Sequence, residues 1–315
     1  IGAKLASIAS LLVGTLFIIF TLSLTHSAGK QVNELAVNAI SEQVTGVVDM
    51  IEMYNASLNA EVDSYTRLFS HFLPSDFELD TASPVMVGEQ SAPVIKAGGT
   101  PLNLDSKIPD DFLARTGAIS TIFARRGDDF IRVTTSLKKQ DGNRAIGTLL
   151  DNTSPAYARV MAGESFNGLA TLFGKKYITK YQPVRDAQGN VIGIMFVGVD
   201  ITQEYADMRQ KILSKRIGEK GYFFVLNSAP GKDLGKYLVH STDEGKTPAW
   251  PDGELQQVMS QPRGQREYTD TVNQHQQFMV YANVPAWHWV VVGSTDKDSL
   301  MEQVNSTRNR FLLIS

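Results

Sequence analysis

The sequence predicts an α+β protein: a membrane-crossing helix, a long amphipathic helix, two antiparallel-sheet modules in tandem, and a return to the membrane. Three observations carry this prediction. An uncharged apolar run opens the chain, from Leu5 to Thr25. Apolar residues then recur at alternating steps of three and four from Val37 to Phe72. From Ile119 the apolar period shortens to two, and after a helical stretch at 203–217 that period starts again.

The opening run matches the roughly 20 helical residues that cross a hydrocarbon core. A cleaved signal peptide is the rival reading, with Lys4 as its basic start and Ser27, Ala28 and Gly29 as small residues near a cleavage point. The run is too long for that and passes directly into an amphipathic helix, so residues 1–27 are read as a first span. The last residues, Phe311 to Ser315, read as the start of a second, entered by a polar helical stretch over 297–315. A domain held between two spans is the layout of a transmembrane receptor, with residues 28–305 outside the membrane.

Composition narrows the classes. Net charge is −3, so no global field favours nucleic acid. Cysteine is absent, which removes disulfides, thiol nucleophiles and thiolate metal sites. An extracytoplasmic domain without disulfides points to a bacterial source.

Residues 28–73 form one helix in this reading. Val37, Ile40, Val44, Val47, Ile51, Tyr54, Leu58, Val62, Tyr65, Phe69 and Phe72 make a heptad-like stripe with one stutter. The stripe is a face packed on its own domain, a dimer seam continuous with the membrane helix, or each along a different part. Residues 74–116 carry Pro74, Pro84, Pro93, Pro101 and Pro109 with Gly98 and Gly99, and short strands and turns are expected there. The first module, 74–202, then shows strands over 120–124, 130–136, 170–173, 176–183 and 191–199, with a helix over 155–162. The sheet is antiparallel, with helices on one side. A linker helix follows over 203–217. The second module, 218–296, repeats the strand pattern at 221–227, 237–240, 264–268, 276–282 and 287–293. Both modules end alike, in Phe196-Val197-Gly198-Val199-Asp200 and Val291-Val292-Gly293-Ser294-Thr295-Asp296, each after a Tyr-then-Pro strand. This internal repetition suggests two copies of one unit.

Two sets of motifs carry a family resemblance. The first is Ala145-Ile146-Gly147-Thr148, Gly163-Glu164-Ser165-Phe166 and the hairpin Tyr181-Gln182-Pro183 to Gly189-Asn190-Val191. The second is Gly218-Glu219-Lys220-Gly221-Tyr222-Phe223-Phe224, His240, and Val284-Pro285-Ala286-Trp287-His288-Trp289. In this order they resemble the double Cache (Cache_3–Cache_2 type) periplasmic sensor of bacterial methyl-accepting chemotaxis proteins. The resemblance implies PAS-like modules, a small-molecule ligand in the first module, and a homodimer in the bacterial inner membrane. It also implies a signal to cytoplasmic partners, a kinase and its adaptor, through a domain outside this chain. The same sensor on a histidine kinase or a cyclic-dinucleotide enzyme is an alternative output. A membrane-tethered enzyme is a third reading, and it lacks a catalytic constellation.

In such a module the ligand lies on the inner face of the sheet and the loops above it. Tyr177, Thr179 and Tyr181 alternate onto one face of their strand, with Lys176, Ile178 and Lys180 on the other. They line a pocket or form an ordinary half-buried face. Phe130, Arg132 and Thr134 likewise share a face, and Arg132 is suited to a ligand carboxylate. Asp200 takes a ligand amine or caps the helix after it. Thr135 and Tyr157 are weaker candidates, and Lys175 and Lys176 read as wet surface. Citrate sensors with a Cache_3-like module place an arginine and a lysine at the positions of Thr179 and Tyr181, and the Arg-x-Trp-Tyr motif of common amino-acid receptors is also missing. The ligand is therefore expected only as a small carboxylate or amino-acid-like compound. No metal, cofactor or catalytic residue is expected. The histidines are scattered, and no phosphate-binding or nucleophile motif occurs.

Overall fold

In a computed structural model the described residues are 2–272 and 274–299, with side chains from residue 34 onward. The chain divides into two compact units, Glu52–Met208, and Ile1–Ile51 together with Arg209–Ser315.

Helix α1 (Gly2–Ser70) has no internal proline and contributes to both units. It stops before Pro74, whose ring disfavours a helical residue ahead of it. The final turn tightens, with His71 N–H on the Leu68 carbonyl at 3.1 Å and Phe72 N–H on that of Phe69 at 3.0 Å. The heptad-like stripe is core: Ile40, Val44, Val47, Ile51, Leu58, Val62 and Phe69 are all buried within the chain. Val37, Tyr54, Tyr65 and Phe72 of the same stripe are half-buried.

The Glu52–Met208 unit begins with a small sheet, β1 (Phe77–Val87), β2 (Gln90–Ala97) and β3 (Thr100–Pro101), in that order. Strands lie where short strands and turns are expected over 74–116, but β1 and β2 are longer than that reading allows, and α2 (Lys107–Thr116) after them is not foreseen by it. The prolines are absorbed rather than excluded. The register of β1 with β2 shifts between Asp80 and Val85, which takes Pro84 and Pro93 out of the ladder where each would lack a donor. Pro101 lies at an edge and Pro109 in the first turn of α2.

A five-stranded antiparallel sheet comes next: β4 (Ile119–Arg126), β5 (Asp129–Thr135), β6 (Phe166–Leu172), β7 (Lys175–Arg185) and β8 (Val191–Asp200), with α3 (Pro155–Met161) between β5 and β6. The strand order is β5-β4-β8-β7-β6. Ser154 caps α3 through its side chain, and Pro155 sits at the first helical position. The expectation of helices on one side holds only in part. On one face Asp63 of α1 meets Lys180 at 2.6 Å and Asn167 at 2.9 Å. On the other, Ala156 and Val160 of α3 join a core with Phe123, Phe130, Tyr177, Tyr181 and Phe196.

Helix α4 (Thr202–Ser214) leads into the other unit, which holds β9 (Arg216–Ile217), β10 (Gly221–Asn227), β11 (Tyr237–Val239), α5 (Glu254–Ser260), β12 (Arg263–Thr269), β13 (Gln276–Val284) and β14 (Trp289–Asp296). Its strand order is β11-β10-β14-β13-β12, with β9 beside β10. Apart from β9 it repeats the order of the first sheet, so the tandem organisation read from the sequence is present in the topology.

Among the described residues no helix is long and apolar enough to cross a membrane. The expected first span, 1–27, falls where side chains lie outside the described residues. The expected return helix lies outside them from residue 300 onward.

Candidate functional site

The inner face of the first sheet is set by a register fault. Along β4 and β5, Arg125 faces Phe130, Ala124 faces Ile131 and Phe123 faces Arg132, but Ile122 faces Thr134. Val133 is thus an extra residue, and a bulge of one residue turns the side chains beyond it to the opposite face. Strict alternation would keep Thr134 with Phe130 and Arg132. Instead Thr134 points away and its Oγ1 donates to the Asp105 carbonyl at 2.6 Å. Thr135 takes the inner position, with its Oγ1 at 2.6 Å from Thr121 Oγ1.

Arg132 is 5% exposed. Its Nη1 donates to Thr148 Oγ1 and, at 3.5 Å, to the Ala145 carbonyl. The guanidinium carbon lies 4.9 Å from the centroid of the Phe123 ring. Nε is buried and has no partner among the described residues. No carboxylate pairs with this guanidinium among the described residues. Burial pushes its pKa down to about 10, against a small opposing pull from the Tyr181 hydroxyl, and it stays charged at neutral pH. A buried cation without an anion is an unfavourable arrangement in a finished core.

The other candidates divide. On β7, Tyr177 and Tyr181 are buried in the same core as Phe130, and Thr179 lies fully buried between them. The Tyr181 ring packs at a tilt, 4.8 Å from Phe196 and 6.4 Å from Phe166. Burial raises its hydroxyl to about 12, while Arg132 pulls the other way, which places the two groups within electrostatic reach. Thr179 Oγ1 donates to the Gly168 carbonyl at 2.8 Å. Asp200 faces Tyr177 in the β7–β8 register but is engaged elsewhere. It meets Lys175 at 2.9 Å and accepts the Thr202 N–H at 3.0 Å at the start of α4. Burial alone would raise its pKa, yet these bonds hold it below the usual carboxylate range. Tyr157 donates to the Asp128 carbonyl at 2.7 Å with its ring 6.1 Å from Phe130. Lys176 reaches Thr171 at 2.9 Å and lies over the Tyr205 ring.

Residues 136–154 and α3 cover this face. The cover adds to the edge of β5: Arg132 N–H donates to the Thr148 carbonyl, and Gly147 N–H to that of Arg132, both at 2.9 Å. Gly147 has φ +76°, and a side chain there would meet the Val87 carbonyl. Arg144 pins the cover to α2 through two bonds to Asp110, at 2.7 and 2.6 Å. Periodicity did not single out Phe123, Thr121 or Thr148 as neighbours of Arg132. Thr148 lies in the Ala145–Thr148 motif, the one sequence signal that marks the cover. Among the described residues no cluster of side chains has metal-holding geometry.

A family model, the Cache 3/Cache 2 fusion domain, matches residues 25–310. Among solved structures, the ligand binding domain of Mlp24 with asparagine is similar at 14% identity and TM-score 0.52. It covers 89% of this chain and 99% of its own. The periplasmic domain of RsbU from Chlamydia trachomatis is similar at 12% identity and TM-score 0.50, covering 87% and 98%. These likenesses bear on the fold. No curated protein sequence matches this chain.

Proposed function

The chain belongs to the Cache 3/Cache 2 fusion domain family of extracytoplasmic ligand-sensing modules, and from that premise we propose that its first module binds a small carboxylate or amino-acid-like compound. One observation carries the reading: Arg132 is a buried guanidinium with no counter-charge and a vacant Nε donor among the described residues. A ligand carboxylate supplies the missing anion and takes a bidentate pair at that edge. Tyr181, Tyr177, Thr179, Thr121 and Thr135 share the face and supply rings and hydroxyls around it. Thr134 and Asp200 have no part in this site, being turned outward and committed to Lys175 respectively.

Binding requires the cover over 136–154 to shift, since Thr148 and Ala145 now hold the guanidinium. A signal results only if ligand favours one cover position over another. The strand β7 and helix α1 are the route outward, through Lys180 and Asp63. In this reading the chain is the sensor of an inner-membrane chemoreceptor that works as a homodimer and controls a cytoplasmic kinase through its adaptor. Its own described residues bind and relay, without a catalytic step.

The test is thermal unfolding of the chain against organic acids, amino acids and amines. A ligand that binds only the folded form raises the midpoint, by about 2.7 kcal/mol of stability at a hundred times its Kd. Stabilising compounds are expected to carry a carboxylate and to lose their effect on Arg132→Met. Stabilisation by uncharged compounds alone, or equally in the variant, overturns the reading.

A further inference from the structure

The two sheets share strand order and register, so their inner faces compare position by position. In the first, Tyr181 of β7 faces Phe196 of β8, which faces Thr121 of β4. In the second, Tyr281 of β13 faces Val292 of β14, which faces Phe224 of β10. The bulge recurs too. The β10–β11 register shifts between Val225 and Leu226, with Leu226 facing Tyr237 as Phe123 faces Arg132. Tyr237 therefore stands where the first module has its buried guanidinium. Tyr222 and Phe224 stand where it has Ile119 and Thr121.

The second face is a cluster of aromatic rings. Phe224 lies 5.2 Å from Tyr237, 5.8 Å from Tyr222 and 6.3 Å from Trp250, ring centre to ring centre. His240 lies 4.4 Å from Tyr237, and Trp250 5.5 Å from Tyr268. Phe224 and His240 are buried, whereas Tyr222, Tyr237, Trp250 and Tyr268 are half-buried. Leu255, Val258 and Met259 of α5 pack against the same cluster, so the rings form a shallow bowl whose partly exposed rim is Tyr222, Tyr237, Trp250 and Tyr268.

Its charges are the reverse of the first face. Arg266 is neutralised by Glu254 through two bonds at 3.0 and 2.9 Å. His240 Nδ1 accepts the backbone N–H groups of Thr242 and Asp243, and burial lowers its pKa. Asp243, paired with Lys246, and Asp270 lie close enough to add to the effect of burial on Tyr222 and Tyr237, both shifted upward. Ring faces and carboxylates attract a cation, and an anion would meet no free positive group among the described residues here.

We propose that this bowl in the second module is a separate binding site for a methylated or alkyl ammonium group, seated on the rings of Tyr222, Phe224, Tyr237 and Trp250. The probe is tetramethylammonium chloride, titrated calorimetrically into the whole chain in detergent against a sodium chloride control. Saturable binding is expected, held within about threefold by Tyr237→Phe, weakened about tenfold or more by Tyr237→Leu and by Trp250→Leu, and unchanged by Arg132→Met. In the native chain, magnetisation transfer from the probe's methyl protons to the Tyr222 and Tyr237 rings locates the site even if a leucine variant unfolds. Absence of saturable binding up to about 50 mM overturns the proposal, since a weaker contact is no site. So does transfer to other rings, or loss of binding in Arg132→Met.

Discussion

Lys180 Nζ lies 2.6 Å from Asp63 Oδ1, joining the strand that carries Thr179 and Tyr181 to the long helix. The neighbours of Lys180 on β7 face inward and Lys180 faces outward. A shift of the strand on one side is thus felt on the other through a single side chain.

The first prediction concerns that pair. Asp63→Asn keeps the shape and removes the charge, and should cost about 1 kcal/mol of stability at neutral pH. Burial raises the Asp63 pKa, but hydrogen bonds from Lys180 and Asn167 outweigh it and hold the carboxyl below its ordinary 3.8. A depressed carboxylate contributes stability above its unfolded pKa and loses it as pH falls through the folded value. The difference between native and Asp63→Asn melting points should therefore shrink below about pH 4. A difference that grows on acidification would reject the pairing.

Removing the buried charge at Arg132 should not weaken the empty protein. Arg132→Met replaces an unpaired guanidinium by an apolar chain of similar length, and such exchanges are neutral or stabilising by about 1–4 kcal/mol. Chemical denaturation without ligand reads this directly. A large loss of stability would mean that Thr148, Ala145 and Phe123 satisfy the cation unaided.

Gly147→Ala should destabilise by about 1–3 kcal/mol. The residue sits at φ +76°, and its added methyl would meet the Val87 carbonyl. Because Gly147 is bonded to Arg132, the same change should loosen the cover and speed hydrogen exchange at the Arg132 and Gly147 amides. A native-like melting point with unchanged exchange would contradict the backbone geometry.

His240 should titrate below its ordinary 6.5, since burial disfavours its charged form. The unfolded chain then binds the proton first, so stability falls as pH drops from about 6.5 towards the folded value. His240→Asn keeps an acceptor for the Thr242 and Asp243 amides without titrating, and should flatten that part of the stability curve. Equal slopes in the two proteins would remove His240 as the cause.

Much of the fold was legible because period two survives wherever a strand is long and one face is apolar. Lys176–Pro183 could be divided by eye, and Lys180 does face the helix while Tyr181 faces the core. The length of the β1–β2 hairpin was hidden because prolines argue against long strands, and only the register shift shows how Pro84 and Pro93 are tolerated. Helix α5 was missed because Glu254–Ser260 is short and mostly polar. The site was legible as residue types and not as a constellation. A bulge at Val133 leaves no mark in the sequence, yet it exchanges Thr134 for Thr135. The matching of module ends through Gly198 and Gly293 met the same limit. Pairing aligns Gly198 with Ser294, and a side chain on Gly293 would meet Val44 and Ile217 instead. That Arg132 lacks a counter-charge is a fact about its surroundings, which only a folded chain has.

The order in which the units are encoded has a consequence for biosynthesis. Glu52–Met208 is continuous in sequence, whereas the other unit is split around it. A ribosome therefore finishes the inserted unit while the first portion of the interrupted one still lacks every strand of its sheet. Val44, which lies against Gly293, stays unprotected until β14 has been made. Folding is expected to begin in the insert, and premature termination after residue 208 should leave one structured body trailing an aggregation-prone helix.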